Sequence, residues 1–247
     1  MKYDIEKKEI RKARDGLSLI GTYYHTLQNN KDKVIIMNNA FATNTKSYQI
    51  YSEFPQEAIK QGYDVFQYDF TGLGESPGDH SQTTVSTQIN DLETVIDNFG
   101  DKKIILLGHS MGGIVATNNY HNADAIVLWN SPISLKRLHN NYKEDVERDG
   151  FIIRYREGKP IKVGAEMWKE FNTITHNPEA FEKLPVLFIV GSEDKNIMND
   201  KEEYIKKYFN SNTTQYITNG ANHEFENNSN ARAEAIKITL DWLNKQK

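Results

Sequence analysis

The sequence predicts an α/β fold built on a mostly parallel sheet, and three observations carry that prediction. Short apolar runs rich in β-branched residues recur at 34–37, 65–68, 104–107, 126–129 and 186–190. Their apolarity is continuous rather than alternating, the pattern of strands covered on both faces. Amphipathic segments separate the runs, so helices can cover the sheet from both sides.

Taken along the chain, residues 8–13 and 17–26 alternate more and flank Asp15-Gly16, which predicts an antiparallel hairpin at the sheet edge. Val85, Ile89, Leu92, Ile96 and Phe99 step by three or four, as do Tyr204, Ile205, Tyr208 and Phe209, and both sets predict crossover helices. Residues 214–218 form the last expected strand. A closing helix follows, with Ile236, Leu240 and Leu243 on one face and residues 227–230, an Asn/Ser cluster, able to cap it. The rhythm breaks over residues 132–183, too long for an ordinary connection, and this stretch is the candidate cap. Within it, 151–155 and 160–163 surround Glu157-Gly158-Lys159 as a hairpin, and 165–171 suits a short helix. The 247 residues therefore suit a single domain, 1–247, with that one insertion.

Composition narrows the function. A net charge of −4 arises from intermixed acids and bases with no basic face, which argues against nucleic acid as a partner. No apolar run approaches the ~20 residues that cross a bilayer. Residues 1–14 lack the apolar core of a secretory signal, so the expected location is the cytoplasm. With no cysteine, disulfides, thiolate metal sites and cysteine nucleophiles are excluded. A homodimer is the one macromolecular assembly left open.

The chemistry centres on Gly108-His109-Ser110-Met111-Gly112-Gly113, which leaves the strand 104–107 and runs into Ile114-Val115-Ala116-Thr117, a helix start. Gly-x-Ser-x-Gly between strand and helix holds a serine at a sharp turn with its hydroxyl exposed and the next N–H free to meet an oxyanion. Ser110 is the expected nucleophile. His109 is read as packing, because a neighbour on the turn points away from the serine hydroxyl. The remaining partners should follow in the order acid, then histidine, each on a loop at the carboxyl end of a later strand. Gly191-Ser192-Glu193-Asp194 leaves the strongest late strand, which makes Asp194 the expected acid, with Glu193 as runner-up and an N-cap for a helix starting near Asp200 as the purely structural alternative. Asn219-Gly220-Ala221-Asn222-His223-Glu224-Phe225 follows the last strand, so His223 is the expected base. His25, His80, His121, His139 and His176 lack that placement. The second oxyanion donor falls in Asn38-Asn39-Ala40-Phe41-Ala42-Thr43-Asn44, assigned to the backbone N–H of Phe41 alongside that of Met111, with Ala40 as the neighbouring alternative.

These residues, with Tyr68-Asp69-Phe70-Thr71-Gly72-Leu73-Gly74-Glu75-Ser76 and Asn222-His223-Glu224-Phe225, resemble a family over nearly the whole chain: the bacterial α/β-hydrolases that include feruloyl and cinnamoyl esterases, monoacylglycerol-lipase-like enzymes and serine-aminopeptidase-like hydrolases. The resemblance implies an eight-stranded, mostly parallel sheet flanked by helices with a short cap. It implies a serine carboxylesterase acting on a small-molecule ester through an acyl-enzyme, with no metal or organic cofactor. Asp69 is read as structural, since it precedes the nucleophile. Many relatives carry His-Gly where this chain has Asn39-Ala40, a departure that bears on the oxyanion loop. Trp129, Phe151, Trp168 and Phe171 are candidates to line an apolar pocket, although packing is the commoner role of such residues. A thioesterase, amidase or peptidase would use the same residues, and a ligand-binding protein could use the scaffold without catalysis.

Overall fold

The computed structural model describes residues 3–12, 16–27, 32–156 and 158–246. It begins with β1 (Tyr3–Arg11) and β2 (Ser18–Thr26), followed by β3 (Lys33–Asn38), α1 (Gln49–Lys60) and β4 (Asp64–Tyr68). Then come α2 (Val85–Asp97), β5 (Lys103–His109), α3 (Met111–Asn118) and β6 (Ala125–Trp129). Between β6 and the later strand β9 (Val186–Gly191) lie α4 (Lys136–Asn141), α5 (Lys143–Asp149), β7 (Phe151–Arg156), β8 (Lys159–Gly164), α6 (Ala165–Glu170) and α7 (Pro178–Lys183). The chain closes with α8 (Lys195–Tyr208), β10 (Thr213–Thr218) and α9 (Ser229–Leu243).

Eight strands form one sheet in the order β1-β2-β4-β3-β5-β6-β9-β10, and β7 with β8 form a separate antiparallel pair. From β4 to β10 every pairing is parallel, while β1 and β2 join antiparallel at the edge. Strand β1 begins before the expected residue 8. Its first five residues are exposed, so burial leaves no alternation in the sequence to mark them. Asp15 of the expected first turn and Glu157 of the second lie outside the described residues.

The continuous apolarity of the central strands is explained by two cores. Val34 and Ile36 pack with Leu106, Leu128 and Phe188 on the face covered by α2, α3 and α8. Ile35 and Met37 pack with Leu107, Trp129 and Ile189 on the face covered by α1 and α9. Successive side chains thus enter opposite cores, and both must be apolar.

Helix α1 carries no sequence signal comparable to the others. Its N-cap Tyr48 makes no side-chain capping bond, and Pro55 lies inside it. Proline removes the N–H that would bond the Tyr51 carbonyl one turn earlier. Gln67 of β4 donates its side-chain amide to that carbonyl instead. Tertiary structure therefore supplies the bond that the local sequence removes.

The strand order reverses at β3: the chain leaves it for β4 on one side and returns to β5 on the other. Crevices at the carboxyl ends of strands open at such a switch point. Phe41 follows β3 and Ser110 follows β5, so both face the place where the topology opens the sheet.

Candidate active site

Ser110 sits between β5 and α3 with φ 54° and ψ −123°. A left-handed backbone is strained for a residue with a Cβ, by about 1–3 kcal/mol. The turn closes so tightly that a Cβ on Gly108 would lie 2.4 Å from the Gly112 carbonyl oxygen, and one on Gly112 2.2 Å from that of Asn38. The glycines of the motif are therefore required by close approach of backbone to backbone. The Ser110 N–H donates to the Trp129 carbonyl of the neighbouring strand, and the Ser131 hydroxyl donates to the Ser110 carbonyl at 2.8 Å.

The three residues singled out in the sequence meet here. His223 Nε2 lies 2.9 Å from Ser110 Oγ, and His223 Nδ1 lies 2.5 Å from Asp194 Oδ2. A proton on Nδ1 is donated to the carboxylate, which leaves Nε2 to accept from the serine hydroxyl. Asp194 is 3% exposed, so water competes little for its oxygens. Its other oxygen, Oδ1, accepts from the Ile197 N–H, which makes Asp194 the N-cap of α8 as well. That helix starts at Lys195, not near Asp200 as the sequence suggested, because the acid loop and the cap are the same residue. Glu193 turns outward and accepts from the Asn227 side chain.

Further residues fix the histidine loop, and of these only His109 was singled out in the sequence. Asn130, directly after β6 with φ 44°, donates to the Asn222 and His223 carbonyls at 3.1 and 2.9 Å. Its side-chain oxygen accepts from the Gly191 N–H at 2.8 Å. One amide therefore clamps the base loop to the acid loop. His109 is buried and serves as support, as its position next to Ser110 suggested. Burial holds it neutral, with a pKa pulled down to about 3. Its Nε2–H donates to the His223 carbonyl at 2.8 Å, and its Nδ1 accepts from the Tyr51 hydroxyl at 2.7 Å. The Tyr51 oxygen accepts from the Ala40 N–H at 3.1 Å, so a single chain of bonds runs from the β3 loop to the histidine loop.

This chain of bonds is open to a direct test. Tyr51→Phe leaves a buried N–H and a buried ring nitrogen unsatisfied, which is expected to cost about 1–3 kcal/mol of stability. With the His223 carbonyl less firmly held, turnover is expected to fall by about 3- to 10-fold, the scale of a lost positioning contact. Urea midpoints and kcat measured side by side would contradict this role if neither moved.

The β3 loop also answers the question raised by Asn39-Ala40. Among its residues only Ala42 has a left-handed backbone, at φ 49°, so Ala40 needs no glycine conformation. With its amide bonded to Tyr51, Ala40 is not available as a donor, whereas the amides of Phe41 and Met111 have no acceptor among the described residues. Met111 is the first residue of α3, where N–H groups lack an intrahelical partner. Asp69 stays structural: its carboxylate accepts from the Thr45 and Glu75 amides at 2.7 and 2.9 Å and so folds the 69–76 loop around itself.

A cavity of about 280 Å³ opens onto Ser110 and His223. Ala40, Phe41, Tyr48, Leu135, Leu138 and Tyr142 supply its apolar and aromatic wall. Trp129, Phe151, Trp168 and Phe171 do not line it. Trp129 lies in the core against Phe54, Phe171 packs edge-on against Phe41, Trp168 stacks on His139, and Phe151 lies under the Lys162 ammonium. Three arginines, Arg137, Arg154 and Arg156, line the cavity instead. Among the described residues no helix is long and apolar enough to cross a membrane.

Known proteins resemble this chain in sequence over part of its length and in fold over all of it. Residues 29–143 match the family model described as serine aminopeptidase, S33. That span includes Phe41 and Ser110 and ends before Asp194 and His223. A proline iminopeptidase of Lactobacillus delbrueckii subsp. lactis is 38% identical over 74 residues, which cover 28% of this chain and 25% of that enzyme. The match thus spans about a quarter of the length of this curated relative. A hydrolase of Agrobacterium vitis S4 superposes with a TM-score of 0.77 at 15% identity, covering 100% of this chain and 99% of that one. Est1E from Butyrivibrio proteoclasticus, solved with ferulic acid bound, superposes with a TM-score of 0.77 at 16% identity, covering 97% and 98%. By its sheet, its switch point and these matches, the chain has the α/β-hydrolase fold and is similar over residues 29–143 to the serine aminopeptidase S33 hydrolases.

Proposed function

We propose that the chain is a serine hydrolase that cleaves small to medium carboxylic esters through an acyl-enzyme. The observation that carries this reading is the imidazole of His223 within hydrogen-bond reach of both Ser110 Oγ and the Asp194 carboxylate. Ser110 attacks the ester carbonyl as His223 Nε2 takes its proton. Asp194 holds the productive tautomer and stabilises the imidazolium. The carbonyl oxygen gains charge and is met by the N–H groups of Phe41 and Met111, the two unoccupied donors beside the serine. Collapse expels the alcohol, which receives the proton from His223, and water then releases the acid by the same steps in reverse order of roles.

In this reading residues 1–247 act as one domain and residues 132–183 as a cap. The cap supplies Ser134, Leu135, Arg137, Leu138, Tyr142 and Arg154 to the cavity wall, so it is the part of the chain that selects substrate. A cavity of about 280 Å³ suits a compact acyl or aryl group.

The sequence match to proline iminopeptidases favours a second reading, cleavage of an amide next to a free amino terminus. Charge argues against it, because three arginines line the cavity against the carboxylates of Asp200 and Glu224, and an ammonium group would enter an environment of like sign. A fluorophosphonate probe followed by peptide mapping, with a panel of p-nitrophenyl esters, acyl-CoA thioesters and aminoacyl anilides, tests both readings. Labelling of Ser110 with turnover of the esters is the expected result. Turnover of the anilides alone would replace esterase by aminopeptidase, and an unlabelled Ser110 would leave a ligand-binding protein.

A further inference from the structure

We infer that the cavity takes an ester carrying a carboxylate, read by the guanidinium of Arg154 with Arg156 adding to the field. This deepens the hydrolase reading and rests on Ser110 as nucleophile. Residues 152, 154 and 156 share one face of β7, as alternate residues of a strand do. Ile152 on that face is fully buried, so the same face carries Arg154 and Arg156 toward the body of the protein, where both line the cavity that contains Ser110. The period of two in Phe151-Ile-Ile-Arg-Tyr-Arg does not say which face turns inward, and here the more apolar one, with Ile153 and Tyr155, is exposed.

The three arginines are not equivalent. Arg137 is already neutralised, with Asp200 at 3.6 Å and a hydrogen bond to Asn196. Arg156 is held by the oxyanion loop, its Nε donating to the Ala42 carbonyl at 3.1 Å and its Nη2 to that of Phe41 at 3.3 Å. Those acceptors are neutral, so the charge of Arg156 is not cancelled. Arg154 donates to the Tyr142 hydroxyl, and its guanidinium carbon lies 5.8 Å from the centre of the Phe41 ring and 5.7 Å from that of Tyr142. Two aromatic faces fix its plane. Its Nε is buried without a hydrogen-bond partner, and among the described residues neither Arg154 nor Arg156 pairs with a carboxylate.

Arg154 is half-buried and has no carboxylate partner among the described residues, so its charge is left to attract an anion. Here the open space beside it belongs to the cavity that the ester must enter. The planar guanidinium of Arg154 where it borders the cavity suits a carboxylate, a planar anion that pairs with it through charge-assisted hydrogen bonds. Phe41 links the two functions: its ring supports Arg154 and its N–H is the proposed oxyanion donor, so an anion on Arg154 would be held on the wall from which the transition state is stabilised.

The test compares matched esters that differ in charge. On the acyl side, mono-p-nitrophenyl glutarate is set against p-nitrophenyl valerate. On the leaving side, 4-carboxyphenyl butyrate is set against its neutral methyl ester, 4-(methoxycarbonyl)phenyl butyrate. In at least one pair the anionic member is expected to have the higher kcat/KM by about 10- to 100-fold, the range of one charged hydrogen-bonded contact, and the preference should shrink in high salt. Arg154→Met, which keeps the stem and removes the charge, is expected to abolish that ratio whatever it does to the absolute rates. Arg154→Lys should restore part of it. For a variant that does not fold, Arg154→Gln takes its place, and inhibition by glutarate but not by butyramide is expected in the wild type and not in that variant. Neutral esters preferred in both pairs, or a ratio untouched by Arg154→Met, would overturn the assignment. Ester turnover that is lost in Ser110→Ala under those circumstances would leave the hydrolase reading intact, so the two failures are distinguishable.

Discussion

Replacing Ser110 by alanine is expected to lower kcat for ester hydrolysis by about 10,000-fold or more, because the covalent route disappears and only binding and oxyanion stabilisation remain. Asp194→Asn should approach the same loss. An amide facing Nδ1 favours the tautomer that puts a proton on Nε2, where the serine hydroxyl must be accepted. The two substitutions separate in stability. Asp194 also caps α8, but asparagine is as good a cap, so Asp194→Asn should unfold near the wild-type midpoint. Ser110→Gly offers a control on the fold itself. At φ 54° glycine relieves the strain that serine and alanine share, so the glycine variant is expected to be more stable than Ser110→Ala by about 1 kcal/mol while equally inactive. Pre-steady-state bursts with p-nitrophenyl acetate and urea titrations on all three variants check this set. A burst from Ser110→Ala would remove the covalent mechanism, and a glycine variant less stable than the alanine one would remove the strain argument.

The second large effect is loss of stability in mild acid. His109, His176 and His80 are buried, and desolvation lowers their pKa values to about 3, about 3 and about 4. His176 is enclosed by the Thr117, Ser131 and Tyr204 hydroxyls and the Pro132 carbonyl, and His80 Nδ1 lies 3.0 Å from the Thr83 hydroxyl. In the unfolded chain each would titrate near 6.5. As the pH falls below 6.5 the unfolded chain therefore binds protons that the native protein does not, and stability drops until the native pKa values are reached. At pH 5 this amounts to about 2 kcal/mol for each histidine, on the order of 6 kcal/mol together, a large share of the 5–15 kcal/mol typical of a folded protein. Unfolding free energies from urea titrations between pH 7 and 5 should show a slope approaching three protons. A flat profile over that interval would mean that these side chains reach water in the native protein.

Much of the candidate site was legible because its grammar is local. The elbow is a run of six residues whose turn is closed locally at Gly108, against the Gly112 carbonyl, while Gly112 and Gly113 make room for Asn38 and Ser131 of neighbouring segments. Asp194 and His223 could be found because each lies a few residues after an apolar strand, which is where a parallel sheet delivers its loops. The assignment of Phe41 over Ala40 needed more. Only the bond from the Ala40 amide to Tyr51, on a helix that the sequence did not announce, removes the neighbouring candidate. The four aromatic candidates for the pocket wall are packing residues, the commoner role the sequence reading gave them, but the insertion residues that do line the wall carried no signal. Trp168 and Phe171 of the insertion are engaged by His139 and Phe41, and the insertion gives the cavity Leu135, Leu138 and Tyr142 together with its three arginines.

What the sequence alone determined was the class of fold, the order of its central strands and the three residues, Ser110, Asp194 and His223, that the structure brings together. All three follow from periodicity and from residues within one loop, which the chain specifies without regard to distant partners. Tertiary structure decided what joins those loops: Asn130 between acid and base, the path from Ala40 through Tyr51 and His109 to His223, and the face of β7 that brings Arg154 to the cavity. Such contacts depend on which strands lie side by side and on the angle at which a hairpin meets the sheet. Those are properties of packing between segments far apart in the chain, and no local pattern of residues encodes them.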